Sequence, residues 1–558
     1  MTLQLKSLFF PKTEIVATKA PRSQSIKYVK CGYQPPSNKW NIVQEDFLNN
    51  NYEEKLKVLK HVLTNSSESS LQKLYMIDAM QHLNIDYHFQ EEIDDFLWKE
   101  YVIYSNSGDG FGHHDLHQIA LHFRLFRQQG HYVPPEVFNK FIDKRGKFNQ
   151  RLCGNMKGIR DLYEASHLSI AGEDILDEAE QFSKQVLKER LLGDCFDNHE
   201  AKLIRNTLQH PSHKSLAMLT GREFFGDFHS MNNGWLGSFK DFAEIDFSLQ
   251  QHLHQQEILQ ISRWWTELGL GNELKYARNQ PLKWYMCSLA CLTDPTLSEE
   301  RVELTKAISF IYIIDDTFDL HGTLHELTMF TDVVTRWDIE ASEQLPDSMK
   351  ICFKALYNLN NEISTKIYTK HGFNPTHSLR KAWESLCKAF LVEAEWFGCG
   401  NIPSGEEYLK NGIISSGVHI VLVHIFFLLG QRLTQHNVEI IDRSPMIISS
   451  AAKILRLWDD LGTAKDENQE GNDGSYVYCL LMEHQDMSLK RAREEVMSMI
   501  SDAWKNLNQE CLFQKSFQTT FTKACLNLAR MVPLIYNYDN KRYIQDYINS
   551  LISDPVIT

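Results

Sequence analysis

From about residue 41 onward, apolar residues return at steps of three and four, the spacing that lines one side of a helix. The stretches "QEEIDDFLWKEYVI" (90–103) and "LYEASHLSIAGEDILDEAEQFSKQVLKERLL" (162–192) show it plainly. Short breaks separate such runs, at "SNSGDGFG" (105–112), "DKRGKF" (143–148) and "NPT" (374–376). No segment alternates apolar and polar residues long enough to build a sheet. Glycine (27) and proline (15) are too sparse for the many turns a sheet-rich chain needs. The pattern therefore predicts an all-α protein. The richest break, "HSMNNGWLGS" (229–238), places two Asn and two Gly between helical patterns. It divides the chain into helical domains at 41–235 and 236–558. The longest apolar run, "VHIVLVHIFFLL" (Val418–Leu429), is too short to cross a bilayer and is expected as a buried core helix.

One helix changes character along its length. "TDPTLSEERVELTKAISFIYIIDDTFDLHG" reads as a helix with a Thr296–Glu299 capping box at its start and Gly322 at its end. At 100° per residue, Ile308, Ile311, Tyr312, Asp315 and Asp319 share a stripe, while Asp316 lies to one side. Carboxylates thus crowd the negative end of the helix dipole, which costs stability unless a cation compensates. Hard divalent ions such as Mg²⁺ take oxygen ligands of this kind, together with substrate phosphates. An exposed acidic helix end is the other reading of this motif alone.

A second acidic face follows in "ILRLWDDLGTAKDENQEGNDGSY" (454–476). Asp459, Thr463 and Glu467 stand at i, i+4 and i+8, and Arg456 points roughly the same way. The oxygens suit a hard cation, and a guanidinium suits a diphosphate. An EF-hand beginning at Asp466 is excluded because its twelfth position is Val477 rather than Glu. Taken singly, this segment also fits an ordinary amphipathic helix. Facing each other, the two acidic faces would hold several Mg²⁺ ions and clamp a diphosphate.

Composition narrows the rest. With 558 residues, 43% of them hydrophobic, the chain has ample core for two domains. A net charge of −14 offers no basic footprint for a nucleic acid. Eleven scattered cysteines without a CxxC pair argue for reduced thiols. Residues 1–40 carry seven Lys/Arg against the single acid Glu14. They read either as a disordered leader or as an organellar transit peptide. "GHHDLHQ" (112–118) is an HD-like cluster lacking the further partners a phosphohydrolase needs.

The motifs together resemble the plant class I terpene synthases over nearly all of the chain after residue 40. "DDTFD" matches their DDxxD motif and "DDLGTAKDE" their (N/D)Dxx(S/T)xxxE motif. The stretches "DYHFQEEID", "QPLKWYM", "RVELTKAISFIYIIDD", "GIISSGVH" and "RLWDDLGTAKDENQEG" look closer still to the linalool/nerolidol branch, which makes acyclic products. As in that branch, no Arg-Arg pair precedes the helical region, and no DxDD is present. The resemblance implies a relict N-terminal α-barrel and a C-terminal class I α-bundle. It implies Asp315, Asp319, Asp459, Thr463 and Glu467 as ligands of three Mg²⁺ ions (or Mn²⁺), with Arg278 and Arg456 beside the diphosphate. The implied reaction ionises geranyl or farnesyl diphosphate and captures water to give linalool or nerolidol. Acyclic olefins such as myrcene or ocimene, or a cyclic terpene, are the alternatives within the family. A chain-elongating prenyltransferase and a non-catalytic helical scaffold are more remote. A monomer is expected, without membrane or nucleic-acid partners, in the plastid or else the cytosol. The "GIISSGVH" break is expected to add carbonyls near Ser416 and Gly417 to the cavity. Tyr538 and Asp539 are expected in a lid.

Two positions depart from the family pattern. Its RxR appears as Arg278-Asn279-Gln280, and a frequent Trp is replaced by Cys287. Both suit a short cationic route rather than a long cyclisation.

Overall fold

The computed structural model describes residues 41–65, 69–106, 112, 114–192, 198–224, 234–466, 474–536 and 541–552. The leader 1–40, Glu467 and the Tyr538–Asp539 pair lie outside them, as does the first half (229–233) of the expected interdomain break. Among the described residues the chain is helices and turns, with one isolated bridge between Ile142 and Phe148. The all-α expectation holds.

Apolar faces close into two cores. Phe89, Phe123, Phe126 and Phe138 centre the first, and the aspartate helix runs through the second. A 35-residue helix, Gly234–Leu268, belongs to both. At 1.5 Å per residue it spans about 50 Å. Its Phe239, Phe242 and Ala243 pack in the first core, and Ile261 and Trp265 in the second. Polar ties fix its register. Buried Asp246 accepts from Tyr87 at 2.7 Å, within the "DYHFQEEID" stretch, and pairs with His88 at 2.9 Å. Glu257 takes the Arg301 guanidinium at 2.7 and 2.9 Å and the Tyr285 hydroxyl at 2.7 Å. Each carboxylate is buried, so each needs those partners to be tolerated.

The aspartate helix, Ser298–Leu320, packs on the helices Gly234–Leu268, Pro281–Cys291, Asp347–His371, Thr376–Cys399 and Val418–Leu429. The expected one-sided stripe understates it, because every residue from Glu300 to Phe318 is buried. Its start also differs from expectation. Asp294 takes both the Thr296 amide (2.9 Å) and hydroxyl (2.7 Å), capping a 3₁₀ turn over Pro295–Leu297. With the Thr296 hydroxyl so engaged, no box forms with Glu299, which instead pairs with Lys370 at 2.8 Å. The far end closes as expected, with the Gly322 amide donating to the Thr317 carbonyl at 3.0 Å.

Val418–Leu429 is buried except for the half-buried His419, and is capped by Gly417 and Gly430, both with positive φ. It is a core helix. The HD-like cluster is explained by packing: His117 is wedged between Asp161 and the Tyr75 hydroxyl (2.6 Å) in the N-terminal domain.

Candidate active site

The aspartate helix delivers Asp315 and Asp316 almost fully buried, at 3% and 4% exposure, with partly buried Asp319 one turn on. Arg278 lies against them. Its Nη2 pairs with Asp315, its Nε donates to Asp316 at 2.9 Å, and its own amide donates to Asp316 at 2.6 Å. The guanidinium also sits 4.7 Å from the centre of the Tyr312 ring, within cation–π range. Asp316, expected off the stripe, therefore anchors the Arg278 main chain and side chain together. Cys287 lies close by, buried under Tyr312. A thiol there leaves room that an indole would fill.

The second motif rides on the helix Met446–Asp466. Arg456 pairs with Asp459 and reaches Asp460 at 3.1 Å. Asp460 also accepts the Tyr408 hydroxyl at 2.9 Å and the Tyr476 amide at 3.1 Å. It thus ties the motif to the chain beyond 474. Arg456 can run beneath the helix Gly405–Ser415 because Gly412 has no side chain; a Cβ there would meet its Cδ at 2.8 Å. Asp459 also receives a hydrogen bond from Tyr536. Thr463 stands on the same helix one turn after Asp459, and Glu467 lies outside the described residues. Asp315 and Asp459 perturb each other's ionisation, as do Asp315 and Arg456. The fold thus brings the two motifs within electrostatic reach of each other.

A further carboxylate, missed in the sequence, adjoins the two motifs. Glu393 on the helix Thr376–Cys399 takes the Ser415 hydroxyl at 2.6 Å and the Asn411 amide at 3.1 Å. It adds negative charge to both Asp315 and Asp319. The available signal was register. Glu393 falls three and seven residues after Phe390 and Leu386, on the buried face of its helix. By bonding Ser415 it also fixes the break that follows. Gly417 has φ +71°, and a Cβ on it would strike Ile311 Cγ2 at 2.8 Å. The Gly417 carbonyl accepts from the Val421 amide at 3.2 Å, which starts the next helix. Gly417→Ala combines left-handed strain of about 1–2 kcal/mol with that clash. We expect calorimetry to show a Tm lower by about 2–5 °C, and product analysis to show an altered product ratio. An unchanged Tm and product ratio would remove the break from the cavity wall.

Electrostatically the site carries more acid than base. Burial pushes the Asp459 carboxyl up to about 7 against the pull of Arg456. Burial likewise raises Glu393 to about 7. Asp319 is held well above the usual range by burial and then by Asp315 and Glu393. Arg456 Nε and Glu393 Oε2 are buried without a hydrogen-bond partner among the described residues. An all-oxygen donor set with surplus negative charge and an idle guanidinium N–H fits hard divalent ions and a diphosphate. Among the described residues no three acids converge on one point as they stand; the arginines hold Asp315 and Asp459 to themselves.

The raised carboxyls have a consequence for stability. A carboxyl with a folded-state value near 7 and an unfolded value near 4 stabilises the folded chain when protonated, and this is lost as pH rises through about 7. Buried imidazoles such as His424, lowered to about 4, act in the opposite sense. The readout is therefore a difference. Under chelation the unmodified protein should gain Tm relative to Asp459→Asn as pH falls from 8 to 6. Parallel curves would show that Asp459 is not held protonated by burial.

Comparison with known proteins agrees with this geometry. Residues 26–208 match the family model described as terpene synthase, N-terminal domain, and residues 266–506 match terpene synthase family, metal binding domain. An (E)-nerolidol synthase of Cannabis sativa is 52% identical over 489 residues, covering 86% of this chain and 88% of that protein. An S-(+)-linalool synthase, chloroplastic, of Arabidopsis thaliana is 47% identical over 505 residues, covering 90% and 88%. The crystal structure of isoprene synthase from grey poplar leaves, in complex with three Mg²⁺ ions and dimethylallyl-S-thiolodiphosphate, superposes with a TM-score of 0.84. It is 33% identical, covering 92% of this chain and 98% of that one. The chain belongs to the terpene synthase family. It is a lyase acting on prenyl diphosphates.

Proposed function

We propose that this chain ionises geranyl or farnesyl diphosphate and captures water on the allylic cation, giving linalool or nerolidol. The observation that carries the reading is that two arginine-bearing acidic helix faces lie close enough to act on each other's charges, with Ile308, Ile311 and Tyr312 on the first of them. The acyclic-product relatives support the alcohol. In this reading Asp315, Asp319, Asp459, Thr463 and Glu467 hold Mg²⁺, which supplies charge to stabilise the departing diphosphate.

Arg278 and Arg456 exchange their carboxylate partners for diphosphate oxygens, a swap between two acceptors of the same guanidinium fork. Asp316 and Asp460 keep each arginine anchored during the exchange. The C–O bond then breaks with both electrons leaving on the diphosphate. Ile308, Ile311 and Tyr312 exclude bulk water from the cation. One water adds its oxygen to the tertiary carbon, and its proton passes to the diphosphate. The small Cys287 in place of an indole removes one π face that would steer ring closure. Relatives named as chloroplastic support a plastid location.

Gas chromatography–mass spectrometry of products from each diphosphate, with Mg²⁺, tests the reading. Linalool or nerolidol supports it. Olefins alone would overturn water capture, and cyclic products would overturn the acyclic route.

A further inference from the structure

When diphosphate binds, one side chain of the loop between the helices Leu270–Glu273 and Pro281–Cys291 has to move, the Arg278 guanidinium. The loop is tied down on both sides of it. On one side, the Asn279 side-chain oxygen accepts from Trp265 Nε1 at 2.8 Å. Gly271 leaves room for this, since a Cβ there would meet Asn279 Nδ2 at 3.1 Å.

On the other side, Tyr276 lies against the last turns of the aspartate helix. Its ring stacks on His321, with centroids 4.1 Å apart and planes 6° from parallel. Its hydroxyl is 3.1 Å from Thr317 Oγ1. Thr317 already gives its own proton to the Ile313 carbonyl at 2.8 Å, so the Tyr276 hydroxyl is the donor. The Ser348 hydroxyl, from the helix Asp347–His371, closes the group at 2.9 Å from His321 Nε2. None of these side chains is a metal ligand or a diphosphate contact in the proposed reaction.

Helical geometry shows what the grip does. At 100° per residue, Thr317, Asp316 and Asp315 step round the helix over about 200°. The loop meets them in that order: Tyr276 on Thr317, the Arg278 amide on Asp316 and the Arg278 guanidinium on Asp315. The chain thus wraps the helix end, with Tyr276 docked on the side away from Asp315. Asp316 fixes one point of the loop. A second contact two residues back fixes the direction in which the arginine extends.

We propose that Tyr276 is a positioning residue, docked on Thr317 and His321 so that the Arg278 guanidinium meets the departing diphosphate from a fixed main chain. In the ionisation reading of the site, on which this rests, charge on the diphosphate is greatest as the C–O bond breaks. A misplaced guanidinium therefore costs turnover more than binding.

Steady-state diphosphate release from geranyl and farnesyl diphosphate with Mg²⁺ tests this, because release reports ionisation whatever terpene follows. Tyr276→Phe keeps the stack and loses the Thr317 contact, whereas Tyr276→Ala loses both. We expect kcat to fall about fivefold in Tyr276→Phe and about 10²-fold in Tyr276→Ala, with KM within about twofold. In an Arg278→Gln background each change should cost less than about twofold, since nothing is left to position. A residue that merely stabilises the fold would lower turnover equally in both backgrounds. If Tyr276→Ala does not fold, Tyr276→Phe in the two backgrounds decides the matter. Unchanged kcat in Tyr276→Phe, a rise in KM alone, or equal losses in both backgrounds would each overturn the proposal. Full turnover in Arg278→Gln would overturn it together with the role given to Arg278. Diphosphate release without linalool or nerolidol would overturn water capture alone and leave the role of Tyr276 standing.

Discussion

Asp315→Asn is expected to lower prenyl diphosphate turnover by about 10²–10³-fold while leaving the protein folded. The asparagine is isosteric, so the helix packing around position 315 is unchanged. What disappears is one negative charge, buried beside Asp316 and Asp319, paired with Arg278 (which Asp316 shares) and opposed at longer range by Arg456. The native chain gives up stability to keep that charge. Under chelation, the variant's Tm should equal or exceed that of the unmodified protein. This pairing of lost activity with preserved stability is the signature of a group kept for function. Steady-state kinetics and calorimetry on the same preparation check it. Turnover within tenfold of the unmodified protein would place Asp315 outside the reacting centre. A large Tm loss would make it structural.

Arg456→Gln should behave oppositely, losing stability as well as turnover. Arg456 is buried, and it balances Asp459, Asp460 and Glu393. Removing one partner of a buried ion pair costs about 3–5 kcal/mol, because the remaining charge stays desolvated. The expected Tm loss is about 3–7 °C. Adding Asp460→Asn should recover part of it, since the two changes share one network. Additive losses in the double variant would show that Arg456 stabilises by packing alone.

The two motifs were legible because each is local. DDxxD sets its carboxylates by helical periodicity, and Asp459 and Thr463 stand one turn apart on one element. The paired partners were less legible. Arg278 was expected beside a diphosphate, and the fold shows it also gripping Asp315 and Asp316 across 37 and 38 positions. Glu393 was passed over because a carboxylate beside Glu395 on a helix reads as surface. Only the packing of its helix against Asn411 and Ser415 turns it inward. Thr296 misled for a related reason. A side chain two residues back, Asp294, competed for the oxygen the capping box required.

The amino-acid sequence by itself determined the helical class, the core helix Val418–Leu429 and both acidic faces. These follow from periodicity, and periodicity is a property of neighbours along the chain. Tertiary structure alone decided that the two faces lie within reach of each other's charges, and that each arginine is held by a second aspartate. It also decided that one long helix serves both cores. These arrangements depend on contacts between residues far apart in the chain. Such contacts form where buried charges must find partners, and no local pattern specifies which partner lies nearest.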